Sequence, residues 1–320
     1  MKLSCRSFLA CLLALASASS FAQRAPQLPR VGVLLTSPGP FEYVRDALRE
    51  LGYVEGKTVL FEARDGAGQP EKLSKMATEL VDQRVDLIIA IGNAASEAAI
   101  KSTAHIPIVF QQGDPVGAGL AKSLGHPEGN ATGVYVPTPE LEAKRLEFIK
   151  QILPNAQRIG YLRNTANPLA ERSLREVERA AVTNRLQVVR IDLRSADELE
   201  RALNAFPKQR LDAVLVSSDP VLSTNAKMIC AAARRAHLPL SVAWAHYHRY
   251  GALTSYGPST TAIARSTASY VDRILKGARP HELPVEELST FELRIDMREA
   301  LALDIRIPHT VLMRADQVMR

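Results

Sequence analysis

The chain has 320 residues, with 40 Lys and Arg against 34 Asp and Glu and a formal net charge of +6. The basic residues are spread through amphipathic segments and do not cluster, so the charge does not indicate a nucleic-acid partner. Beyond the N-terminal segment no apolar run reaches about 20 residues, so no membrane-spanning helix is predicted there. The length suits two domains of ordinary size.

The N-terminal segment has the pattern of an export signal. Two basic residues precede an apolar run at 8–16, and small residues follow it. We predict that residues 1–22 are a signal peptide, cleaved after Ala22, and that the mature protein is periplasmic. A lipid anchor on Cys11 is an alternative interpretation. Cleavage leaves Cys230 as a single cysteine among apolar and small neighbours, which indicates a buried thiol and no disulfide.

Short β-branched runs then alternate with longer amphipathic ones. Strands are predicted at 30–35, 58–63, 87–91, 106–110 and 132–136, and helices at 41–51, 71–83, 94–102, 116–124 and 140–153. The run 87–91 is apolar at every position, which indicates burial on both faces, as in parallel sheets covered by helices.

The alternation restarts after Pro154. Further strands are predicted at 158–163, 187–193, 213–217 and 238–242, and further helices at 169–185, 196–206 and 221–236. Strand–helix alternation of this kind builds right-handed β–α–β units. We therefore predict an α/β fold of two doubly wound parallel-sheet lobes joined by a hinge.

The rest of the chain is too short for a third lobe. A strand at 251–256, a long helix at 260–276 and a strand at 291–296 are predicted to return to the existing lobes. We assign residues 30–136 plus about 252–289 to the N-terminal lobe. Residues 137–251 plus about 290–320 are assigned to the C-terminal lobe.

The loops after the predicted strands hold the candidate binding residues. Ligands of open parallel sheets bind beyond the carboxyl ends of the strands, where helix N-termini favour anions. Small or polar residues occupy these positions: Thr36, Ser37, Gly92, Asn93, Ala94, Gln111 and Asp114 in the first series, and Asn164, Asp219 and Trp244 in the second. A cleft lined by both series would bury a ligand when the lobes close.

Several of these residues have a structural alternative. Asn93, Asp114 and Asp219 have the residue types that cap helices, and each Asp precedes a proline, as at helix starts. Capping is the commoner role for any one of them. Trp244, the single tryptophan, is equally consistent with a ligand-stacking surface and with a core or hinge anchor.

Enzyme motifs are absent from the sequence. No G-x-G-x-x-G follows the first strand, and no P-loop or G-x-S-x-G is present. His246 and His248 would point the same way from an extended segment, but no third metal ligand is evident nearby. We predict no enzyme activity, no catalytic residue, no cofactor and no metal. An exported α/β enzyme that uses Asp114 with the two histidines is the weakest alternative.

Short segments along about residues 30–318 match a family pattern. They are LGYVEGK at 51–57, VDLIIA at 85–90, IPIVF at 106–110, GDPVGAGL at 113–120, SL at 123–124, GNATG at 129–133, YGP at 256–258, YVDRILKG at 270–277, LPVE at 283–286 and RAD at 314–316. With these segments the chain resembles the ABC-transporter substrate-binding proteins of the type I periplasmic-binding fold, in the branch that includes tryptophan- and tyrosine-binding members. Glu128 and Asp304 stand where the family usually has glycine, which affects turns and not the cleft.

The resemblance implies an importer component that binds a small solute, an amino acid or related carboxylate, in the inter-lobe cleft and docks on ABC permease subunits. Backbone N–H groups and hydroxyls near Ser37 and Asn93–Ala94 would then hold a carboxylate. Asp114 or Asp219 would receive an ammonium group. A periplasmic sensor that presents its liganded state to a membrane receptor is an alternative.

Overall fold

The computed structural model describes residues 28–36 and 40–320. The predicted signal peptide, Cys11 and Ser37 lie outside the described residues. Within them the chain forms two sheets, each covered by helices on both faces, which we call lobe 1 and lobe 2. The predicted α/β class with two parallel-sheet lobes is confirmed.

Lobe 1 contains a six-stranded sheet. Elements are numbered in chain order, and its strands are β1 (Arg30–Leu35), β2 (Leu60–Asp65), β3 (Leu87–Ile91), β4 (Ile108–Gln112), β5 (Ala131–Tyr135) and β11 (Glu286–Glu287). The strand order is β11-β5-β4-β3-β1-β2, with parallel neighbours. Its helices are α1 (Pro40–Glu50), α2 (Leu73–Asp82), α3 (Asn93–Ser102) and α9 (Thr260–Leu275).

Alternate side chains of this sheet fill two separate cores. Ile88 and Phe110 pack with α2 and α3 on one face, whereas Ile89 and Val109 pack with α1 and α9 on the other. Both faces of the central strands β1 and β3 are therefore buried, which explains why these two strands are apolar at nearly every position.

Lobe 2 contains a seven-stranded sheet. Its strands are β6 (Arg158–Asn164), β7 (Gln187–Leu193), β8 (Ala213–Val216), β9 (Leu240–Val242), β10 (Thr254–Pro258), β12 (Phe291–Asp296) and β13 (Gln317–Met319). The order is β13-β12-β10-β9-β8-β6-β7, and β12 runs antiparallel to β10. Its helices are α4 (Thr138–Ile152), α5 (Ala170–Thr183), α6 (Leu199–Asn204), α7 (Pro220–Thr224), α8 (Ala226–Arg235), α10 (Met297–Ala302) and α11 (His309–Leu312).

Segment 252–258 differs from its assignment by sequence. The sequence places it in the N-terminal lobe, whereas β10 pairs with β9 and β12 inside the lobe 2 sheet. Leu253 and Ile295 pack together with Phe148 of α4, so this apolar segment completes the lobe 2 core. The chain consequently passes between the lobes at 136–137, at Ser259 and at 288–290.

Two predicted helices also differ. Residues 116–119 form turns, with Gly119 at φ +69°, and residues 120–124 are bends and irregular backbone, so no helix forms there. The segment predicted as one helix at 221–236 is divided into α7 and α8 at Asn225. Glu128 and Asp304 adopt φ of +58° and +54°, the left-handed conformation that glycine favours. Among the described residues no helix is long and apolar enough to cross a membrane.

The strand orders locate a switch point in each sheet. β1 lies between β2 and β3 in lobe 1, and β6 lies between β7 and β8 in lobe 2. The direction in which strands are added reverses there, and the crevice at the carboxyl ends of such strands is the usual ligand site of open α/β sheets.

Candidate functional site

Three residues form a row at the carboxyl edge of the lobe 1 sheet. The registers of β1 with β3 and of β3 with β4 place Thr36, Gly92 and Gln112 side by side. Thr36 and Gln112 are each only 4% exposed. Thr36 Oγ1 and Gln112 Nε2 have no hydrogen-bond partner among the described residues. Buried polar atoms are nearly always paired in proteins, so this row is a candidate surface for a polar ligand.

Gly92 keeps the centre of the row open. Its φ is +102°, and a Cβ at this position would lie 2.6 Å from Thr36 Oγ1. The predicted site residues Thr36 and Gly92 are therefore direct neighbours at the lobe 1 switch point.

Helix α3 begins beside this row. Gly92 is its N-cap, and the Gly92 carbonyl accepts the Ser96 N–H at 2.9 Å. The N–H groups of Asn93 and Ala94 in the first turn have no acceptor within the helix, and the helix dipole is positive there. The Asn93 side chain is used locally, because its Oδ1 accepts the Gly113 N–H at 2.8 Å. Asn93 thus holds the loop after β4 against α3.

Gln111, the glutamine that we predicted in the site, faces away from the row. Its Nε2 donates to Thr267 Oγ1 of α9 at 2.7 Å, and the side chain is buried on the α9 face of the sheet. Successive residues of a strand point to opposite faces, so the adjacent Gln112 occupies the row instead.

In lobe 2, Asp219 is a helix cap. Its Oδ1 accepts the N–H groups of Val221 and Leu222 at 2.8 and 3.2 Å, at the start of α7. Asn164 and Asn167 donate to the same carboxylate, at 3.2 and 2.9 Å to Oδ2. Burial raises the pKa of Asp219, and these donors oppose the rise. Capping of α7 therefore engages Oδ1, and Asn164 and Asn167 hold Oδ2 at the lobe 2 switch point.

A buried ionic pair, which the sequence analysis missed, supports the loop after β8. Glu142 and Arg145 of α4 are each 1% exposed. Glu142 accepts the Ser218 N–H at 2.7 Å and the Tyr161 hydroxyl, while Arg145 Nη1 donates to the Tyr256 carbonyl at 3.2 Å. Burial raises the pKa of Glu142 and lowers that of Arg145. Charged residues three apart on the buried face of an amphipathic helix were the available sequence signal.

The carboxyl ends of the two sheets face each other, and their loops touch. A Cβ on Gly113, in the loop after β4, would overlap the side chain of Leu169 in the loop after β6. A Cβ on Gly68, after β2, would lie 4.0 Å from Val221 of α7. Loops of lobe 1 and lobe 2 are therefore in contact at the carboxyl edges of the two sheets.

Asp114 forms the polar part of this contact. Its Oδ1 accepts the Gly117 N–H at 2.8 Å, and its Oδ2 forms an ion pair with Arg172 of α5. Arg172 also contacts Glu140 Oε1 of α4 at 2.9 Å. Hydrogen bonding to Asp114 and the two carboxylates raise the pKa of Arg172 against the effect of desolvation. Asp114 thus links lobe 1 to lobe 2.

Trp244 lies at the crossings between the lobes. It packs against the lobe 2 core and against a second cluster formed by Val134, Ile263 and Leu288. These contacts match the hinge-anchor alternative for Trp244.

The two histidines do not form a common site. Residues Ala245–Tyr250 form a 3₁₀ helix and not the extended segment that we assumed. His246 Nε2 lies 3.3 Å from Ser223 Oγ, whereas His248 is buried between the Ala252 carbonyl and Ser255 Oγ, at 2.9 and 2.8 Å. In the part of the chain that the structure describes, no group of three or more His, Cys, Asp or Glu could hold a metal ion.

Comparison with known proteins gives consistent matches. The family described as ABC transporter substrate binding protein matches residues 40–319. A tyrosine-binding protein of Clostridioides difficile (strain R20291) is 26% identical over 263 residues, which are 81% of this chain and 75% of that protein. Two crystal structures superimpose with TM-scores of 0.85 and cover 91% of this chain and 100% of their own. They are a conserved domain protein from Vibrio cholerae, 29% identical, and an ABC domain in complex with L-Trp from Streptococcus pneumonia, 26% identical. The predicted resemblance and the two-lobe periplasmic-binding fold are confirmed.

Proposed function

Because the chain belongs to the family of ABC transporter substrate binding proteins, we propose that it binds an amino acid between its lobes and delivers it to the permease of an ABC importer. It acts in the periplasm after removal of residues 1–22, and it has no catalytic role. L-Tyrosine and L-tryptophan are the first candidate ligands, since one relative is a tyrosine-binding protein and the crystal structure of another contains L-Trp.

The unpartnered Thr36 hydroxyl beside the N-terminus of α3 is the observation that carries this proposal. An amino-acid carboxylate placed there accepts from Thr36 Oγ1 and from the N–H groups of Asn93 and Ala94. The positive end of the helix dipole stabilises its charge. A ligand that satisfies a buried hydroxyl recovers the free energy lost by leaving that group unpaired.

The opposing lobe supplies the rest of the enclosure. Pro168 and Leu169 provide apolar surface opposite Asn93 and Gln112, which suits a hydrophobic side chain. Asp114 and Asp219 are held by Arg172 and by the α7 cap, so neither carboxylate is assigned to the ammonium group.

A thermal-shift screen of the twenty amino acids and small carboxylates tests the proposal. A ligand that binds only the folded state raises the melting temperature by mass action. We expect a rise with an aromatic amino acid that is lost in Thr36→Val, which removes the hydroxyl and keeps the shape.

Thr132→Val is the matched control. Thr132 is also buried in lobe 1, but its Oγ1 donates to the Leu283 carbonyl at 2.7 Å. This variant should melt at a lower temperature and still respond to ligand. Absence of any shift in the wild-type protein, or an unchanged shift in Thr36→Val, would contradict the proposal.

A further inference from the structure

We infer that Gln112 is a ligand-contacting residue, whose side-chain N–H donates to a hydrogen-bond acceptor at the end of the ligand remote from the carboxylate. The inference rests on the proposed function and names a further contact within the same cleft.

The Gln112 side chain is buried, with a hydrogen-bond donor that the described part of the chain leaves unpaired. Gln112 is 4% exposed, and its Nε2 has no partner among the described residues. A buried donor without an acceptor destabilises the folded protein, because it loses its hydrogen bonds to water. A methionine of similar size would avoid this loss, so nothing in the packing of lobe 1 itself requires an amide at this position.

The neighbouring residue provides an internal comparison. Gln111 is the same residue type with similar burial, at 8% exposed, and its Nε2 is paired with Thr267 Oγ1 at 2.7 Å. The fold therefore provides a hydrogen-bond acceptor for the glutamine that faces helix α9. The glutamine on the α3 face, which shares a cavity with Pro168 and Leu169 of lobe 2, is left for a partner from outside the chain.

The surroundings show where that partner would lie. Gln112 lines a small cavity with Asn93 and Asp114 of lobe 1 and with Pro168 and Leu169 of lobe 2. The unpaired amide is thus at the boundary between the lobes, where the cleft of the proposed function lies, and not in the core of one lobe.

The position in the sheet indicates which part of the ligand Gln112 contacts. Thr36 follows β1 and Gln112 ends β4, with β3 between the two strands. Two strand spacings separate them by about 10 Å. One carboxylate group is too small to reach both donors, so Gln112 contacts a second acceptor. In L-tyrosine that acceptor is the phenolic oxygen, which L-phenylalanine lacks.

Gln112→Met and Gln111→Met, each compared with the wild-type protein, test the inference. Melting temperatures are measured without ligand, and dissociation constants for L-tyrosine and L-phenylalanine are measured by calorimetry. Gln112→Met should melt at the wild-type temperature or higher, lose about tenfold in affinity for L-tyrosine and bind L-phenylalanine as before. Gln111→Met should melt at a lower temperature and keep the wild-type ratio of the two affinities.

Two results would overturn the inference alone. One is a Gln112→Met protein that melts at a lower temperature, as Gln111→Met should. The other is an equal change in both affinities, which would show that Gln112 does not contact the phenolic oxygen. A wild-type protein that binds neither amino acid would overturn the proposed function and this inference with it.

Discussion

Arg172 of lobe 2 forms an ion pair with Asp114 of lobe 1, across the boundary between the lobes. Arg172 is 35% exposed and Asp114 12%, and Glu140 holds the guanidinium from the lobe 2 side at 2.9 Å. The pair is made only when the carboxyl ends of the two sheets are together. It therefore stabilises the closed arrangement of the lobes relative to an open one.

The first prediction is that Arg172→Ala favours the open arrangement. A partly exposed ion pair contributes up to about 1 kcal/mol, which corresponds to about a fivefold change in the ratio of open to closed protein. Small-angle X-ray scattering of the ligand-free protein should give a larger radius of gyration for the variant. In the wild-type protein, added salt should increase the radius as well, because salt screens the pair.

Arg179→Ala is the control for this experiment. Arg179 lies on the same helix, but it pairs with Glu176 of that helix at 2.8 Å and forms no ion pair with the part of lobe 1 that the structure describes. Its radius of gyration should equal that of the wild-type protein. Equal radii for all three proteins would show that the ion pair does not influence closure.

The second prediction concerns Gly92→Ala. An alanine at φ +102° is strained by about 1–3 kcal/mol, and its Cβ would also press on Thr36 Oγ1. We expect a lower free energy of unfolding, measured with urea, together with weaker ligand binding. Gly277→Ala separates backbone strain from pressure on Thr36, since Gly277 has the same φ of +102° and no atom of the described residues comes within 4 Å of the added Cβ. If both variants bound ligand as the wild type does, Gly92 would not belong to the site.

The third prediction is a loss of stability as the pH falls below about 6.5, the ordinary pKa of histidine. Burial lowers the pKa of His248 in the folded protein. As the pH falls through this range the unfolded chain takes up a proton that folded His248 does not, so the free energy of unfolding decreases. Urea unfolding at pH 7.5 and 5.5 should show this decrease, and His248→Gln should reduce it. An equal decrease in the variant would show that a group other than His248 causes the loss of stability.

The fourth prediction uses Trp244 as an intrinsic probe. It is the single tryptophan of the chain and packs on the Val134, Ile263 and Leu288 cluster at the crossings between the lobes. Closure around L-tyrosine should repack this cluster and change the emission of Trp244, excited at wavelengths that tyrosine does not absorb. An identical spectrum with and without saturating L-tyrosine would indicate that the hinge contacts of Trp244 do not respond to binding.

Sequence patterns were sufficient for the two-lobe fold. The apolar runs at 30–35 and 87–91 form strands buried on both faces, and the restart after Pro154 opens a second sheet. They were insufficient for segment 252–258, since an apolar strand near a crossing fits either sheet. Its lobe is decided by its pairing with β9 and β12, and local sequence does not reveal that pairing.

The same limit applies to the site. Thr36, Gly92 and Asn93 were predicted from their positions after strands, and the structure brings them together at one sheet edge. Choosing between Gln111 and Gln112 required knowledge of which face of the sheet each side chain of β4 is on. Because both faces of that strand are buried, its sequence has no polar alternation from which the facing could be read.

Capping residues present a related difficulty. Asp219 was a candidate for ligand or cap, and only the positions of Val221, Asn164 and Asn167 show that its carboxylate is already engaged. His246 and His248 were paired on the assumption of an extended segment. The 3₁₀ helix that contains them turns the two rings toward different partners.

A crystal structure of the protein grown with saturating L-tyrosine is the most direct test of the central claim. We expect the amino acid between the lobes, with its carboxylate on Thr36 Oγ1 and on the first N–H groups of α3. A ligand bound outside the boundary between the lobes, or a carboxylate held by groups remote from Thr36 and Asn93, would contradict it.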